Sequence, residues 1–403
     1  LSILRFFDGA YLPSWPVLAR SDGIEITTQA EVIADALMDG TSDVTIGPRQ
    51  RSMLAAIIAL AIEFKLPVVS LPWLLSVPSE VTTLASRSSV PSVRLGLGRF
   101  ERERPDSIDG LIARLSTILR SSLKAVLSGD EPFDFTRCFI PGSITILDFG
   151  GAPLGALPAV RAMGSLAVSG VANAAFDPRR KLGSKTLLVL DEPQVFATSV
   201  SVASIQRLLE TGRSFGAGAL MLAHQGVPQL PQSLQLALGT NVVLRALGRS
   251  AEADAAAASE WLPVTRVVPR PAEPGTRSER TRFLSESEER RFRIAEIGRL
   301  PTRHFLVADR RIGAQPRVIR SAEYAPPEWD AIDPEIADAV RRGSNGVPRV
   351  ELEARVHEIE ETAAARFEES LRTEQRGGRK RGRVIETPDV VGRDDEGARG
   401  GVP

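Results

Sequence analysis

Between residues 143 and 262 the sequence alternates short β-rich runs with helical stretches, and this alternation restricts the fold more than any other feature. The β-rich runs are Ser143 to Asp148, Thr186 to Asp191, Ala217 to Ala223 and Asn241 to Leu247. The helical stretches are Pro153 to Phe176, Val200 to Thr211, Pro228 to Leu238 and Ser250 to Trp261. Strands that alternate with helices form a parallel sheet covered by helices, so the expected fold class is α/β. Ligands of such sheets bind beyond the carboxyl ends of the strands, which makes the residues closing each run the ones to search for chemistry.

The run Thr186-Leu-Leu-Val-Leu-Asp191-Glu192 ends in two adjacent carboxylates. In a nucleotide hydrolase a strand of this kind delivers its first acid to the magnesium shell, while the second positions and polarises the attacking water. The plain alternative is a buried strand running into an acidic turn. Two neighbouring features bear on the choice. The next run closes in His224 and Gln225, and Gln225 is placed to sense a γ-phosphate or to orient the water. Between the two runs, Leu208 to Gly216 carries Arg213 at a helix end, where it could stabilise charge on a phosphoryl group of a neighbouring subunit. Taken alone, Arg213 reads as a surface residue near a helix C-terminus. The nucleotide reading needs the acids on a central, buried strand with their side chains towards Gln225.

The remainder of the chain divides by pattern. Residues 1–26 read as a partial start of the core, 27–127 as a helical insertion, 128–262 as the α/β core, 263–325 as a linker with closing strands, and 326–403 as a charged tail. Within the insertion, Arg51 to Phe64 is dense in helix formers. Val77-Pro78-Ser79-Glu80 starts a helix with proline at the first helical position and an acid in the first turn. Ile108 to Val126 has the spacing of one long amphipathic helix. In the tail, Leu352, Val356, Ile359, Ala363, Phe367 and Leu371 mark one apolar helix face, a docking helix. The last ~25 residues have the composition of a disordered segment.

Fifty basic residues cancel fifty acidic ones, so no overall field draws the chain to nucleic acid or to an anionic membrane. Five of the basic residues are lysines, and the excess of arginine reads as a bias of the whole coding sequence. The run Arg376 to Arg383 is a local exception that could touch nucleic acid, although a solvated tail explains it as well. The longest stretch free of Lys, Arg, Asp and Glu, Ser214 to Leu244, holds His224, four glutamines and two prolines and lacks the ~20-residue apolar run of a membrane helix. One cysteine, Cys138, excludes an internal disulfide framework and points to a reduced, cytoplasmic setting.

Through "LLVLDEPQVF", "LLETGRSFGAGALMLAHQGVPQL" and "ALGTNVVLRALGRSAEADA" the chain resembles the HerA/FtsK superfamily of RecA-like motor ATPases, in its conjugative DNA-transfer (type IV coupling protein) branch. The resemblance extends to "IGRLPTRHFLVADRRIGAQPRVI", which looks like the closing strand pair of that family. It implies a RecA-like P-loop sheet with ATP and Mg2+ as cofactors. Asp191 and Glu192 would form the Walker B pair, Gln225 the sensor and Arg213 an arginine finger, with Arg245 a second finger candidate. The implied partners are DNA, copies of the chain in a ring such as a hexamer, and secretion-channel or relaxase proteins. The implied location is the inner face of the membrane, through segments upstream of residue 1.

One departure is large: no G-x-x-x-x-G-K-[ST] loop is present. Gly183-Ser-Lys-Thr186 has the wrong spacing and precedes a strand, whereas phosphates need loop amides followed by a helix. With Leu1 as the first residue and no initiator Met, the expectation is a sheet lacking its N-terminal phosphate-loop unit, and a chain that does not hold nucleotide tightly by itself. Two other readings stand beside the motor. One is a catalytically inert scaffold or docking subunit. The other is an ABC-type ATPase, suggested by Leu190-Asp-Glu-Pro193 with His224 at switch-like spacing, but Ser165 to Ser184 carries no LSGGQ-like signature. His304 and His357 have no partner pattern for a metal.

Overall fold

The computed structural model describes residues 2–7, 10–21, 23–40, 47–98, 100, 105–119, 123–177, 186–212, 218–264, 284–311, 315–323, 334–335 and 346–380. Strands β1 (Ser2–Arg5) and β2 (Tyr11–Pro13) lead into a helical unit. That unit consists of α1 (Ile26–Gly40), α2 (Pro48–Glu63), α3 (Leu71–Ser76), α4 (Pro78–Arg87), α5 (Pro91–Leu97), α6 (Pro105–Leu119) and α7 (Leu123–Leu127). Local chemistry sets several of these boundaries. Pro48 and Pro78 open their helices where a missing N–H costs nothing, and Glu80 lies in the first turn of α4 with no side-chain cap from Val77. The stretch expected to be one helix from Ile108 to Val126 is described as two, α6 and α7, and α7 packs against the tail.

The alternating half follows as β3 (Thr145–Asp148), α8 (Leu157–Ala175), β4 (Leu187–Asp191), α9 (Ser199–Thr211), β5 (Ala219–Ala223), α10 (Gln232–Asn241), β6 (Leu244–Leu247) and α11 (Glu252–Ser259). Then come α12 (Glu286–Gly298), β7 (His304–Asp309), β8 (Arg317–Arg320), β9 (Gly346–Pro348) and α13 (Arg349–Lys380). The fold is mixed α/β, as the alternation predicts. β1 pairs with β3 and β4 with β5, both in parallel. β7 and β8 pair antiparallel within the segment expected to close the sheet, and β6, expected in the parallel sheet, pairs antiparallel with β7 instead of joining β4 and β5. The pairing of the N-terminal β1 with β3 has no counterpart in the sequence reading.

A parallel sheet is ordinarily buried on both faces. Here the described residues cover the β4–β5 pair on one. Leu188, Leu190, Leu220 and Leu222 turn towards Val202, Ile205, Leu234 and Leu238 of α9 and α10. The alternate residues Leu187, Val189 and Met221 are 61%, 51% and 54% exposed. Ile144 and Ile146 at β3 and Leu244 of β6 are exposed as well.

The largest core cluster runs from Leu4 through the helical unit to Leu166 and Ala167 of α8, so it crosses the boundary drawn at residue 127. α8 is the hub: small residues on its surface let neighbours approach closely. Gly40 of α1 lies where a β-carbon would meet Pro158 O at 2.8 Å, and Gly170 receives the ring of Phe135. The tail belongs to the same core, because Leu352 and Val356 of α13 are buried in it, Lys124 pairs with Glu360 at 2.9 Å, and β9 pairs with β2. The side chains of Phe367 and Leu371, the run Arg376 to Arg383 and residues 381–403 lie outside the described side chains and residues, as do 178–185, which hold Lys181 and Lys185. Among the described residues no single helix is long and apolar enough to cross a membrane.

Gly164 of α8 tests this hub. A β-carbon there would stand 2.7 Å from Cβ of Phe196, in the turn after β4. Overpacking of this kind costs ~1–3 kcal/mol. Gly164→Ala is therefore expected to lower stability by about that amount, read as a reduced urea midpoint.

Candidate nucleotide-hydrolysis site

The register of β4 on β5 sets Asp191 opposite Ala223. One residue further, the Glu192 N–H donates to Ala223 O at 2.8 Å, and the chain then breaks away from the strand. Glu192 is left-handed, with φ 50° and ψ 52°, a conformation uncommon for any residue except glycine. Pro193, buried and with φ fixed by its ring, opens the 3-10 turn Pro193–Phe196. Asp191, the last residue of β4, is exposed, and the kink brings the Glu192 carboxylate to the end of β5.

Two amides meet that carboxylate. Gln225 Nε2 donates to Glu192 Oε1 at 3.2 Å, and Gln194 Nε2 donates to Glu192 Oε2. Gln194 Oε1 and His224 Nδ1 are buried beside them without a hydrogen-bond partner. Burial lowers the His224 pKa, with the Gly226 backbone and the Glu192 charge acting in the opposite direction. Gln194 escaped the sequence reading; an amide two residues after an acid forms no recognisable pattern, and only the turn at Pro193 brings it back onto Glu192.

The turn is pinned from below and behind. Phe196 sits on Gly164 of α8. Thr198 and Ser201 cap α9 reciprocally, and the Thr198 hydroxyl also bonds Ser165 of α8. Ser199 N donates to Asp39 Oδ2 of α1 at 3.1 Å, as does its hydroxyl. Arg51 of α2 holds Asp35 at 2.5 Å and Asp39 at 2.9 Å. The first turn of α9 is thus satisfied and faces an acid.

Of the other candidates, Arg213 lies outside the described residues. Arg245 does not fit a finger that reaches another subunit. It is 6% exposed and turned inward, donating to Trp261 O and to Gly239 O at 2.7 Å, where it closes the C-terminus of α10. Burial, then the charge of Arg310, pushes its pKa down to about 10. The requirement for a central, buried strand is also not met among the described residues: β4 has β5 as its one paired neighbour, and Leu190 is its one buried side chain. The second requirement, both acids turned towards Gln225, is met for Glu192, while no hydrogen bond joins Asp191 to Gln225 among the described residues.

For a magnesium ion the fit is narrow. Among the described residues no group of three or more His, Cys, Asp or Glu converges on one point. Asp191 suits the ion as a single carboxylate beside waters and phosphate oxygens, which is how magnesium is commonly held at phosphate sites.

No family model matches the sequence, and no curated protein matches it. Solved structures do. VirB4 of Thermoanaerobacter pseudethanolicus is 15% identical, with 80% of this chain and 77% of that one covered and a TM-score of 0.49. The bacterial conjugative coupling protein TrwB, in its unbound monoclinic form, is 14% identical, with 76% and 71% covered and a TM-score of 0.46. TrwB in complex with ADP and Mg2+ aligns over the same shares at 14% identity and a TM-score of 0.44.

The lowered His224 pKa has a measurable consequence. The folded chain binds this proton less readily than the unfolded chain, whose histidine titrates near ~6.5. The contribution to stability is therefore complete above that pH and is lost as pH falls towards the folded value. Denaturation midpoints measured from pH 7.5 to 5 should fall, and His224→Gln should flatten the decline.

Proposed function

We propose that this chain is the acidic-pair portion of an ATP-driven motor that moves DNA in conjugation or type IV secretion. The observation that carries the reading is the hydrogen bond from Gln225 to Glu192, which joins the carboxyl ends of two parallel strands where ligands of α/β sheets bind. In this reading Glu192 polarises the attacking water, and Gln225 exchanges its carboxylate partner for the γ-phosphate and so reports the nucleotide. Asp191 would hold Mg2+ through water; the ion, when bound, neutralises charge on the phosphates. Arg213 would act across a subunit boundary in a ring.

The phosphates need a cradle of amides that these residues do not supply. The Glu192 N–H is used on Ala223, and the first turn of α9 is capped by Thr198 and faces Asp39, whose charge repels a phosphate. In this reading the phosphate loop, whose sequence motif is absent from the 403 residues, comes from other polypeptide. That same gap favours a second reading, an inert scaffold that docks partners through the helical unit and α13.

The two readings separate on one substitution. In the assembly that includes a phosphate loop, Glu192→Gln should bind ATP with wild-type affinity and lose ATP turnover by about 10²-fold or more. Turnover equal to wild type would remove Glu192 from the mechanism. Titration calorimetry of these residues alone with ATP and magnesium should give no micromolar binding; a micromolar Kd would overturn the external origin of the phosphate loop.

A further inference from the structure

We infer that Gln194 is a positioning residue for Glu192: it anchors the carboxylate while Gln225 is the arm that lets go. The inference rests on the hydrolytic reading above and adds a residue that neither the sequence pattern nor the strand-end logic assigns.

The two amides differ in how they are held. Gln225 is exposed, sits in the loop after β5, and reaches Glu192 Oε1 at 3.2 Å. Gln194 is half-buried in the turn Pro193–Phe196 and grips Oε2. Its turn is fixed at both ends, by the buried ring of Pro193 and by Phe196 against Gly164. The amide orientation is set as well, because only the N–H side can face a carboxylate.

Local penalties accompany this arrangement. Gln194 Oε1 is buried without a donor, a desolvation with nothing to offset it. Glu192 occupies the left-handed region at φ 50°, which is unfavourable for a residue with a β-carbon. Glycine at 192 would make the same turn without the backbone penalty, and the unpaired Oε1 follows from turning the Gln194 N–H side onto the carboxylate.

The geometry also explains why there are two arms. A carboxylate offers about four lone-pair sites, so two amide bonds leave room for a water. If Gln225 turns to a γ-phosphate, a carboxylate with no other contact would be free to rotate about its side chain. With Gln194 on Oε2 it keeps its plane, and Oε1, just vacated by Gln225, is presented to the water. A misplacement of about 1 Å at such a group can cost ~10²-fold in rate.

Two measurements test this. In the chain as it stands, the side-chain amide resonances of 15N-labelled glutamine should show Gln194 shifted and slow to exchange, Gln225 less so, and both should return to free-amide positions in Glu192→Ala. A free Gln194 amide in the wild type would overturn the anchor. In the phosphate-loop-containing assembly, Gln194→Met keeps the length of the side chain and removes the amide. It should lower kcat about tenfold or more with KM for ATP within twofold, while the melting temperature stays within a few degrees. An unchanged kcat, or a loss confined to KM, would overturn the positioning role. A wild-type assembly with no ATP turnover would instead sink the hydrolytic reading and leave the amide signals to report the clamp.

Discussion

The register between β4 and β5 is the constraint from which the site follows. A one-residue slip in a strand moves every side chain to the opposite face. With Asp191 level with Ala223, the Glu192 N–H reaches Ala223 O and makes the last inter-strand bond before the chain kinks. Glu192 and Gln225 then emerge side by side, although 33 positions separate them in sequence. The apolar residues that fix the register, Leu188 and Leu190 against Leu220 and Leu222, face α9 and α10, so the helices behind the pair set the chemistry at its end.

Behind that pair, α8 ties the site to the rest of the molecule. Its glycines accept aromatic rings, Phe196 from the site turn and Phe135 from the 3-10 turn Phe135–Phe139. Ser165 of the same helix bonds Thr198 at the start of α9. On its other side α8 packs on α1, where Gly40 permits close contact, and α1 contributes Asp39 to the first turn of α9. The helical unit is thus rigidly keyed to the residues after Glu192 by packing and by charge. Removing Asp39 would release Ser199 and one of the two carboxylate partners of Arg51, which would keep Asp35.

Much of this was legible in the residues themselves. The strand and helix alternation from 143 to 262 matches β3 to α11 to within a few residues, because period and turn composition are local signals. The amphipathic start of α13 was legible for the same reason, whereas the closing strands were expected from the family resemblance. What failed was non-local. Nothing local in Ser2–Arg5 announces a strand that pairs with residues 145–148. Continuous apolar runs at β4 suggested burial on both faces, yet Leu187 and Val189 are open. An apolar run says what a strand can tolerate; it does not say what covers it. Arg245 shows the same limit. An arginine on a strand near a phosphate site reads as a finger until three-dimensional packing supplies backbone carbonyls of α10 and residue 261 as its partners.

The open face and the missing phosphate cradle concern the same strands. A parallel pair that exposes Leu187, Val189 and Met221 leaves apolar area in water at roughly 25 cal/mol per Å2, a cost that soluble chains rarely accept over a wide patch. The polar end of the same pair has a carboxylate held by two amides and a buried carbonyl with no donor. Apolar strand faces and unsatisfied acceptors are relieved by different groups, side chains for the first and N–H donors for the second. A further strand would pair through its backbone at an edge of β4–β5, whereas the open face is relieved only by side chains packed on it, as α9 and α10 do on the other face.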